Sequence, residues 1–586
     1  LEQKKAKAKG KGKLHAPRSK LGKIALNLAV TLVVGFIYFY VSLPALNLQS
    51  SDFYFFVGLL CVVYIVCAFI TSGFHLEGGK AATVTGGVVN IDGGKVKEYF
   101  RFIKSQCLPI GILLGVLIVV ALVGSIISAP IFRAGSYREL LDVQELPAGN
   151  FAADVAEISF DEIPLLDEES AKRLGTTQMG TIPDMVSQFE VAGEYTQINY
   201  QGRPVRVAPL EYADLIKWFT NRSQGLPAYI VVDMVSQEVQ VVRLPEGQGI
   251  KFSPSEPLNR NVYRHLRFQY PTFMFATPSF EIDENGDPWW ICPRVVKTIG
   301  LFGGTDVSGA VLMNAVTGES TYYESADIPQ WVDHVYPDSL IMEQYNYYGT
   351  LVHGFINSVF GQRDVKVVTE GDNYIAMNDD VYVYSGVTSA TSDQSNLGFL
   401  LCNQRTKETK FYTAPGATEQ AARNSAMGVV QDLGYTATWP ILLNISGQPT
   451  YFMALKDNSA LVKQYAMVNV SQYSTLVATD ASVAACETKY VQMLADSNVI
   501  VPEALPQTSV SGVIDDLRSE VVDGNTRYLI RLRGDDMYYS LSAKDNDVAV
   551  ILDLGDAVTL DHAPLPEGSA ALILDGYSVT LDRKGR

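Results

Sequence analysis

The residues best suited to chemistry are few and scattered. Six histidines stand at His15, His75, His265, His334, His353 and His562, none paired at metal-ligand spacing, and no H-E-x-x-H occurs. Cys61, Cys67 and Cys107 lie in or beside apolar runs, and Cys292, Cys402 and Cys486 sit far apart among apolar neighbours. Without a C-x-x-C they read as buried thiols, not as a disulfide framework. The run Asp283-Glu284-Asn285-Gly286-Asp287 starts like a calcium loop, but Pro288 stands where that loop needs Gly and no Glu closes it. Asn285-Gly286 between apolar runs is instead a hairpin turn. The nucleophile elbow G-x-S-x-G is missing. Any two carboxylates could meet as an acid–base pair, but spacing along the chain does not show which. No catalytic residue, metal site or cofactor is therefore expected. Trp289, Trp290, Tyr345, Tyr347 and Tyr348 could form an aromatic surface for a sugar or peptide, with sheet packing as the competing use.

The elements that position these residues begin with membrane segments. Leu108–Ala129 is uncharged and about as long as a bilayer core is thick. Ile24–Leu46 and Phe53–Ser72 precede it, so residues 24–130 read as three transmembrane helices. None of the three contains Asp, Glu, Lys, Arg or His, which argues against ion transport by this chain alone. Gly111 and Gly115 form a G-x-x-x-G in the third, a spacing that permits helix packing. Residues 1–23 carry nine basic residues and one acid and read as a disordered tail. Lys80, Lys95, Lys97, Arg101 and Lys104 lie in the loop 73–107. Short Lys- and Arg-rich segments stay in the cytoplasm, so tail and loop are expected inside, and three crossings place residues 131–586 outside. The paired glycines at Gly78, Gly86 and Gly93 read as β-turns. No Ser or Thr follows Lys80 or Lys95, as a phosphate loop would need.

Charge divides the same way. Residues 1–130 hold 14 of the 46 basic and 5 of the 63 acidic residues, leaving 32 basic against 58 acidic beyond. An anionic body does not suit nucleic acid. The expected partners are the membrane, further copies of the chain, and an extracytoplasmic protein or cell-wall component.

Residues 131–196 read as a membrane-proximal linker, with a helix start at Asp167. From 197 to 498 alternating Val, Ile, Tyr and Phe between turn residues predict antiparallel strands. Helices are expected at Leu210–Thr220, Thr418–Leu433 and Ser482–Asn498. Two patterns recur. Gly-x-Pro-x-aromatic-apolar occurs at Gly225, Gly286 and Gly447, each time opening a strand. Asp or Asn followed by Ser or Thr and then Glu occurs as Asp233/Ser236/Glu238, Asn314/Thr317/Glu319 and Asn403/Thr406/Glu408. Such side chains bond turn backbone, so each copy predicts a hairpin tip.

These elements resemble PepSY-like repeats, most closely over Gly309–Glu319. The resemblance implies small α+β modules, a helix on an antiparallel sheet, commonly extracytoplasmic and often tied to peptidase inhibition or envelope functions. The copies here carry Asn in place of Asp twice and keep the Thr-Gly pair once. The whole chain also resembles an uncharacterised family of membrane-anchored proteins of Gram-positive gut bacteria, and no activity comes with that likeness.

Residues 509–562 predict five short strands, VSGVIDDL, TRYLIRL, MYYSLS, VAVILDL and AVTLDH, hence a small β-barrel of the OB or SH3-like kind, followed by an extension over 563–586. The fold class expected is a membrane-anchored α+β protein: three N-terminal transmembrane helices, PepSY-like repeats and a small C-terminal barrel. The expected role is a non-enzymatic, self-associating structural subunit of a bacterial plasma-membrane assembly. A binder or regulator of an extracytoplasmic peptidase or cell-wall enzyme is the alternative, and a carbohydrate-active hydrolase the third.

Overall fold

The computed structural model describes residues 19–72, 82–85, 88–91, 93–157, 163–377, 379–389, 395–459, 461–500, 508–522, 525–543, 546–562 and 572–581. The basic tail up to Arg18, residues 73–81, 86–87 and 92 of the glycine-pair loop and most of the extension after 562 lie outside these residues. Within the loop, Ala82–Thr85 and Val88–Ile91 pair as a hairpin.

Three helices are long and apolar enough to cross a membrane. They are α1 (Lys20–Ser42), α2 (Ser51–Ser72) and α3 (Gly93–Ser128). α3 has 36 residues and starts well before Leu108, so the loop expected over 73–107 is helical from Gly93 onward. Hydropathy marks the length that can lie in lipid, whereas residues such as Arg101 and Lys104 favour the helix without entering it. Helix contacts form at polar and small residues. Asn27 and Thr71 side chains bond at 3.0 Å between α1 and α2, and Tyr64 Oη donates to Gln106 Oε1 of α3 at 2.7 Å. The close glycine is Gly35, where a Cβ would stand 2.6 Å from Leu60. Gly111 and Gly115 meet nothing within 4 Å among the described residues.

Beyond α3 and the short α4 (Pro130–Arg138), a four-fold repeated α+β body follows. Each repeat supplies a helix, two short strands that share one edge, a long strand, a second strand and a short last strand. The first has α5 (Glu168–Gly180), Phe189–Val191, Thr196–Tyr200, Arg203–Tyr212, Ala228–Asp233 and Val239–Arg243, with α6 (Leu215–Asn221) inserted. The second has α7 (Val262–Gln269) and strands ending in Pro288–Ile299, Gly303–Asn314 and Ser320–Glu324. The third has α8 (Asp338–Thr350), the short α9 (Gly354–Ile356), and strands ending in Asp380–Ser389, Gly398–Asn403 and Thr409–Thr413. The fourth has α10 (Glu419–Val429), Gln448–Lys456, Val462–Asn469 and Val477–Asp480, and is followed by α11 (Val483–Asp496). Sheet order is the same in all four.

The hairpin tips form as their residue types require. Asp233, Asn314 and Asn403 each accept two backbone N–H bonds at 2.8–3.0 Å from the second and third residues on. Ser236, Thr317 and Thr406 then accept from the N–H of Glu238, Glu319 and Glu408. A fourth copy, which the pattern does not reveal, lies at Asn469, whose Oδ1 accepts from Ser471 N and Gln472 N. Its closing bond reaches Leu476 rather than the fifth residue on, so the loop is longer. The Gly-x-Pro copies are not all equivalent. Gly286 (φ 81°) and Gly447 (φ 74°) precede the long strand of their repeats, whereas Gly225 precedes the next strand of the first. The counterpart there is Gly202-Arg203-Pro204, with Gly202 at φ 76°.

The repeats stack with helices between sheets. Trp290, Cys292, Val311 and Met313 face α7 and the first sheet, while the alternating Ile291, Ala310 and Leu312 face α8 and the third sheet. Tyr384, Phe399 and Leu401 face α10 and the fourth sheet, whose far side is covered by α11. Strands buried on both faces follow from this layering. The stretch expected as a linker is woven in. Val143–Pro147 adds a parallel strand beside Thr409–Thr413, Phe151 and Val155 join the core between the third and fourth sheets, and Asp167 caps α5 by accepting from Ser170 N at 3.0 Å. Leu210, expected to open a helix, is in a strand, because α6 starts only after the Asp214 cap.

The stack curls back on itself. Lys456 of the fourth repeat pairs with Asp167 at 2.8 Å, and Arg173 Nη1 donates to the Ser459 carbonyl. The second repeat seats the body on the three apolar helices. Leu301 N and Phe302 N donate to Ser128 Oγ at 2.8 and 3.0 Å, and Arg267 Nε donates to the Leu43 carbonyl at 2.9 Å.

The C-terminal strands Thr508–Val522, Asn525–Leu532, Tyr538–Ser542, Ile573–Leu581 and Ala557–His562 pair in that circular order, the last with the first. VAVILDL, expected as a strand, holds a 3-10 turn over Asp547–Ile551. The fifth strand comes from the extension, Ile573–Leu581, which bridges Tyr538–Ser542 and Ala557–His562. An apolar run this short carries no signal that separates a strand from a helical turn.

Candidate functional site

The curl of the stack leaves a cleft of about 950 Å³, continuous with a second cavity of about 540 Å³. Glu168, Arg206, Asp338 and Tyr374 line both and mark where they meet. The first repeat supplies Gln197 and Arg206, the second Phe280 and Trp290, the third Asp338 and Tyr374, and the fourth Phe452.

Arg206 lies on the long strand of the first repeat and is 5% exposed. Its Nη2 donates to Gln197 Oε1 at 3.3 Å and Nη1 to the Tyr195 carbonyl at 3.4 Å. Its Nε has no partner among the described residues. Burial works against its charge and lowers its basicity. A guanidinium is costly to bury, and an unfilled donor adds to that cost.

Opposite stands a pair of carboxyls. Asp338 is the first residue of α8, where the helix dipole favours negative charge, and it accepts from Tyr374 Oη at 2.9 Å. Asp372 hydrogen-bonds Asp338; burial, then the neighbouring Asp338 carboxylate, push it up to about 7. The pair therefore holds a proton well above the ordinary carboxyl range. A like-charge pair cannot readily ionise twice at this range.

A second polar knot ties three repeats along the cleft wall, where Gln197, Ser279 and His334 line it. Glu281 is fully buried and accepts from Asp333 N at 2.8 Å, His334 N at 3.0 Å and Ser279 Oγ at 3.1 Å. Asp333 Oδ2 accepts from Asn199 N at 2.7 Å, and His334 Nε2 bonds the Gln197 carbonyl at 2.6 Å. Burial raises both carboxyls, and Glu281 raises Asp333 further. These bonds join the repeats, while Asp333 Oδ1 and Gln197 Nε2 have no partner among the described residues. No three His, Cys, Asp or Glu side chains gather as a metal set among the described residues.

The five aromatics expected as one surface are divided among three cores. Tyr345 is wholly buried between the second and third sheets. Trp290 is 5% exposed, donates to the Phe252 carbonyl at 2.9 Å, and alone of the five borders the cleft. Trp289 donates to Asp283 Oδ2 at 3.1 Å and packs on Trp331. Tyr347 donates to Glu343 and meets Tyr137 edge-on, while Tyr348 donates to Glu145 under the Arg138 guanidinium. Period-2 alternation sends adjacent residues such as Trp289 and Trp290 to opposite faces, so adjacency in sequence does not make a platform. Asp283 accepts from Asn285 N and Asp287 N and closes a hairpin turn. Cys292, Cys402 and Cys486 are buried thiols, the last two pushed up to about 12 by burial.

Sequence reasoning did not find Arg206, Asp338, Asp372 or Tyr374. The one usable signal is Arg206 itself, a cation at an inward position of a strand that is otherwise apolar on that face. No protein-family model matches this chain, and no curated protein is significantly similar to it.

Proposed function

We propose that this chain is a membrane-anchored binding protein whose body holds an extracytoplasmic partner or ligand at the cleft between its repeats. The observation that carries this reading is Arg206, a buried cation at the junction of two cavities with an unfilled Nε donor. The four-fold helix-on-sheet repeat with its Asx hairpin tips supports kinship with PepSY-like modules, and the ring of five C-terminal strands supports an OB or SH3-like barrel. The Lys- and Arg-rich tail, and Lys95, Lys97, Arg101 and Lys104 in the first turns of α3, support a cytoplasmic N-terminus and an outward body in a bacterial plasma membrane.

Binding is favoured over hydrolysis by the pairing of Asp338 with Asp372. Glycosidase carboxyls stand about 5 Å apart or more, with the bond to be cut between them. Here the two carboxyls bond each other. Self-association is the second reading, favoured by the open face of α3 at Gly111 and Gly115.

The test is the mass and composition of the native particle in mild detergent, for the wild-type chain and for Arg206→Met. One 64.2 kDa chain with a stoichiometric second component, lost in Arg206→Met, supports the cleft binder. A particle of many copies of this chain alone supports the assembly reading instead. A bare monomer in both overturns the two together.

A further inference from the structure

We infer that the underside of the body is a lipid-binding collar, in which α6 and the turn after α9 lie in the outer-leaflet interface around the three spans. Each of these two elements groups three large apolar side chains at high exposure beside the apolar helices, a contiguous patch rather than the single exposed apolar residues common on a water-facing surface. On α6, Leu215, Ile216 and Phe219 are 60–73% exposed. At the end of α9 and in the turn after it, Ile356, Val359 and Phe360 are 50–82% exposed.

Contacts place both at the membrane boundary. Tyr40, in the last turn of α1, donates to Asn259 Oδ1 at 3.0 Å, and the next residue, Arg260, donates to the Arg222 carbonyl just after α6 at 2.7 Å. Phe268 of α7 packs on Phe39 and Tyr40. On the other side α4 follows α3 directly, and its Tyr137 shares a small core with Leu351 and Phe355 beside α9. Between these sides the hairpin tip Leu301 presses on Gly124, a full turn inside the end of α3. An apolar groove of about 550 Å³ runs there between Leu301 and Val119, Val123 and Ile127, at the depth and with the lining an acyl chain requires.

Charge fits the same occupant. Lys217 and Arg222 flank Phe219, Arg222 lying 4.6 Å over its ring, and Arg363 follows Phe360 at 81% exposure with Asp364 at 3.5 Å, on a body that is otherwise acidic. Cations beside apolar side chains are what an interfacial helix offers to phosphate headgroups. The collar tilts the body onto the bilayer and fixes the height of the cleft above it.

The test places p-benzoylphenylalanine at position 219 or 360 of the full chain in nanodiscs of phosphatidylethanolamine and phosphatidylglycerol. Position 36, exposed within α1, and position 433, an exposed leucine of the fourth repeat, serve as references. After irradiation, phospholipid adducts at 219 and 360 as at 36, and none at 433, are expected. Covalent dimers at 219 and 360 would assign the face to a second copy and overturn the collar. Lipid adducts at 36 alone, or at 433 as readily as at 219, overturn it as well.

Discussion

Lys456 Nζ stands 2.8 Å from both carboxylate oxygens of Asp167, joining the fourth repeat to the first across 289 residues. Asp167 also caps α5, so one carboxylate holds both a helix end and the closure of the stack. Burial pushes Asp167 up, but Lys456 and the Ser170 bonds outweigh it and hold it below its usual range. Its stabilising effect is therefore present above the unfolded value near 4 and is lost as pH falls through the lower folded value. Lys456→Met should cost about 2–3 kcal/mol at pH 7, since the partly buried Asp167 loses its counter-ion. Unfolding followed from pH 7 to pH 3 should show the gap between variant and wild type closing on the acid side. A gap that stays constant would remove this pair as the closing contact.

Asp372 has the opposite sign. Its folded value of about 7 lies above the unfolded value near 3.9. As pH rises from about 4 to about 7 the unfolded chain releases this proton first, so stability falls across that window and then levels. Asp372→Asn keeps a donor towards Asp338 and removes the titration. It should raise stability by about 2 kcal/mol at pH 8, allowing for the group's partial exposure, and leave it unchanged near pH 4. Melting curves of both proteins at the two pH values decide this. Equal effects at both would show that the two carboxyls do not share a proton.

The hairpin tips offer a conservative swap. Asn314→Ala removes the acceptor of two backbone N–H bonds and should cost about 1 kcal/mol. Asn314→Asp, the residue found at the matching position 233, should change stability by less than about 0.5 kcal/mol. If alanine and aspartate behave alike in denaturant titration, the Asx bonds do not hold the tip.

Glycines in the spans separate packing within a chain from packing between chains. Gly35→Val would drive a side chain into Leu60 and should loosen α1 from α2, seen as a lower melting temperature in detergent. Gly111→Leu and Gly115→Leu meet open space and should leave the single chain's stability unchanged. Loss of a multi-copy particle in these two variants alone would establish self-association through α3. An unaltered native mass would remove that face from consideration.

Local physics made part of this molecule legible in the sequence. The three apolar helices were readable because a helix able to cross lipid needs a long apolar run with its backbone bonded internally. The Asp233, Asn314 and Asn403 tips and the Asp167 cap were readable because each side chain bonds backbone two or three residues away. The copy at Asn469 escaped notice because its longer loop breaks the spacing, and the 547–551 turn because a short apolar run does not declare its period. The cleft was decided only in three dimensions. Arg206 comes from the first repeat and Asp338 and Asp372 from two separate elements of the third, and no local interaction links their types or positions. Stacking four sheets with helices between them, and curling the stack until Lys456 reaches Asp167, is what brings them together. The same layering turned Trp290 and Tyr345 into core, because a strand covered on both faces, and a helix packed between two sheets, leave such aromatics no surface to offer.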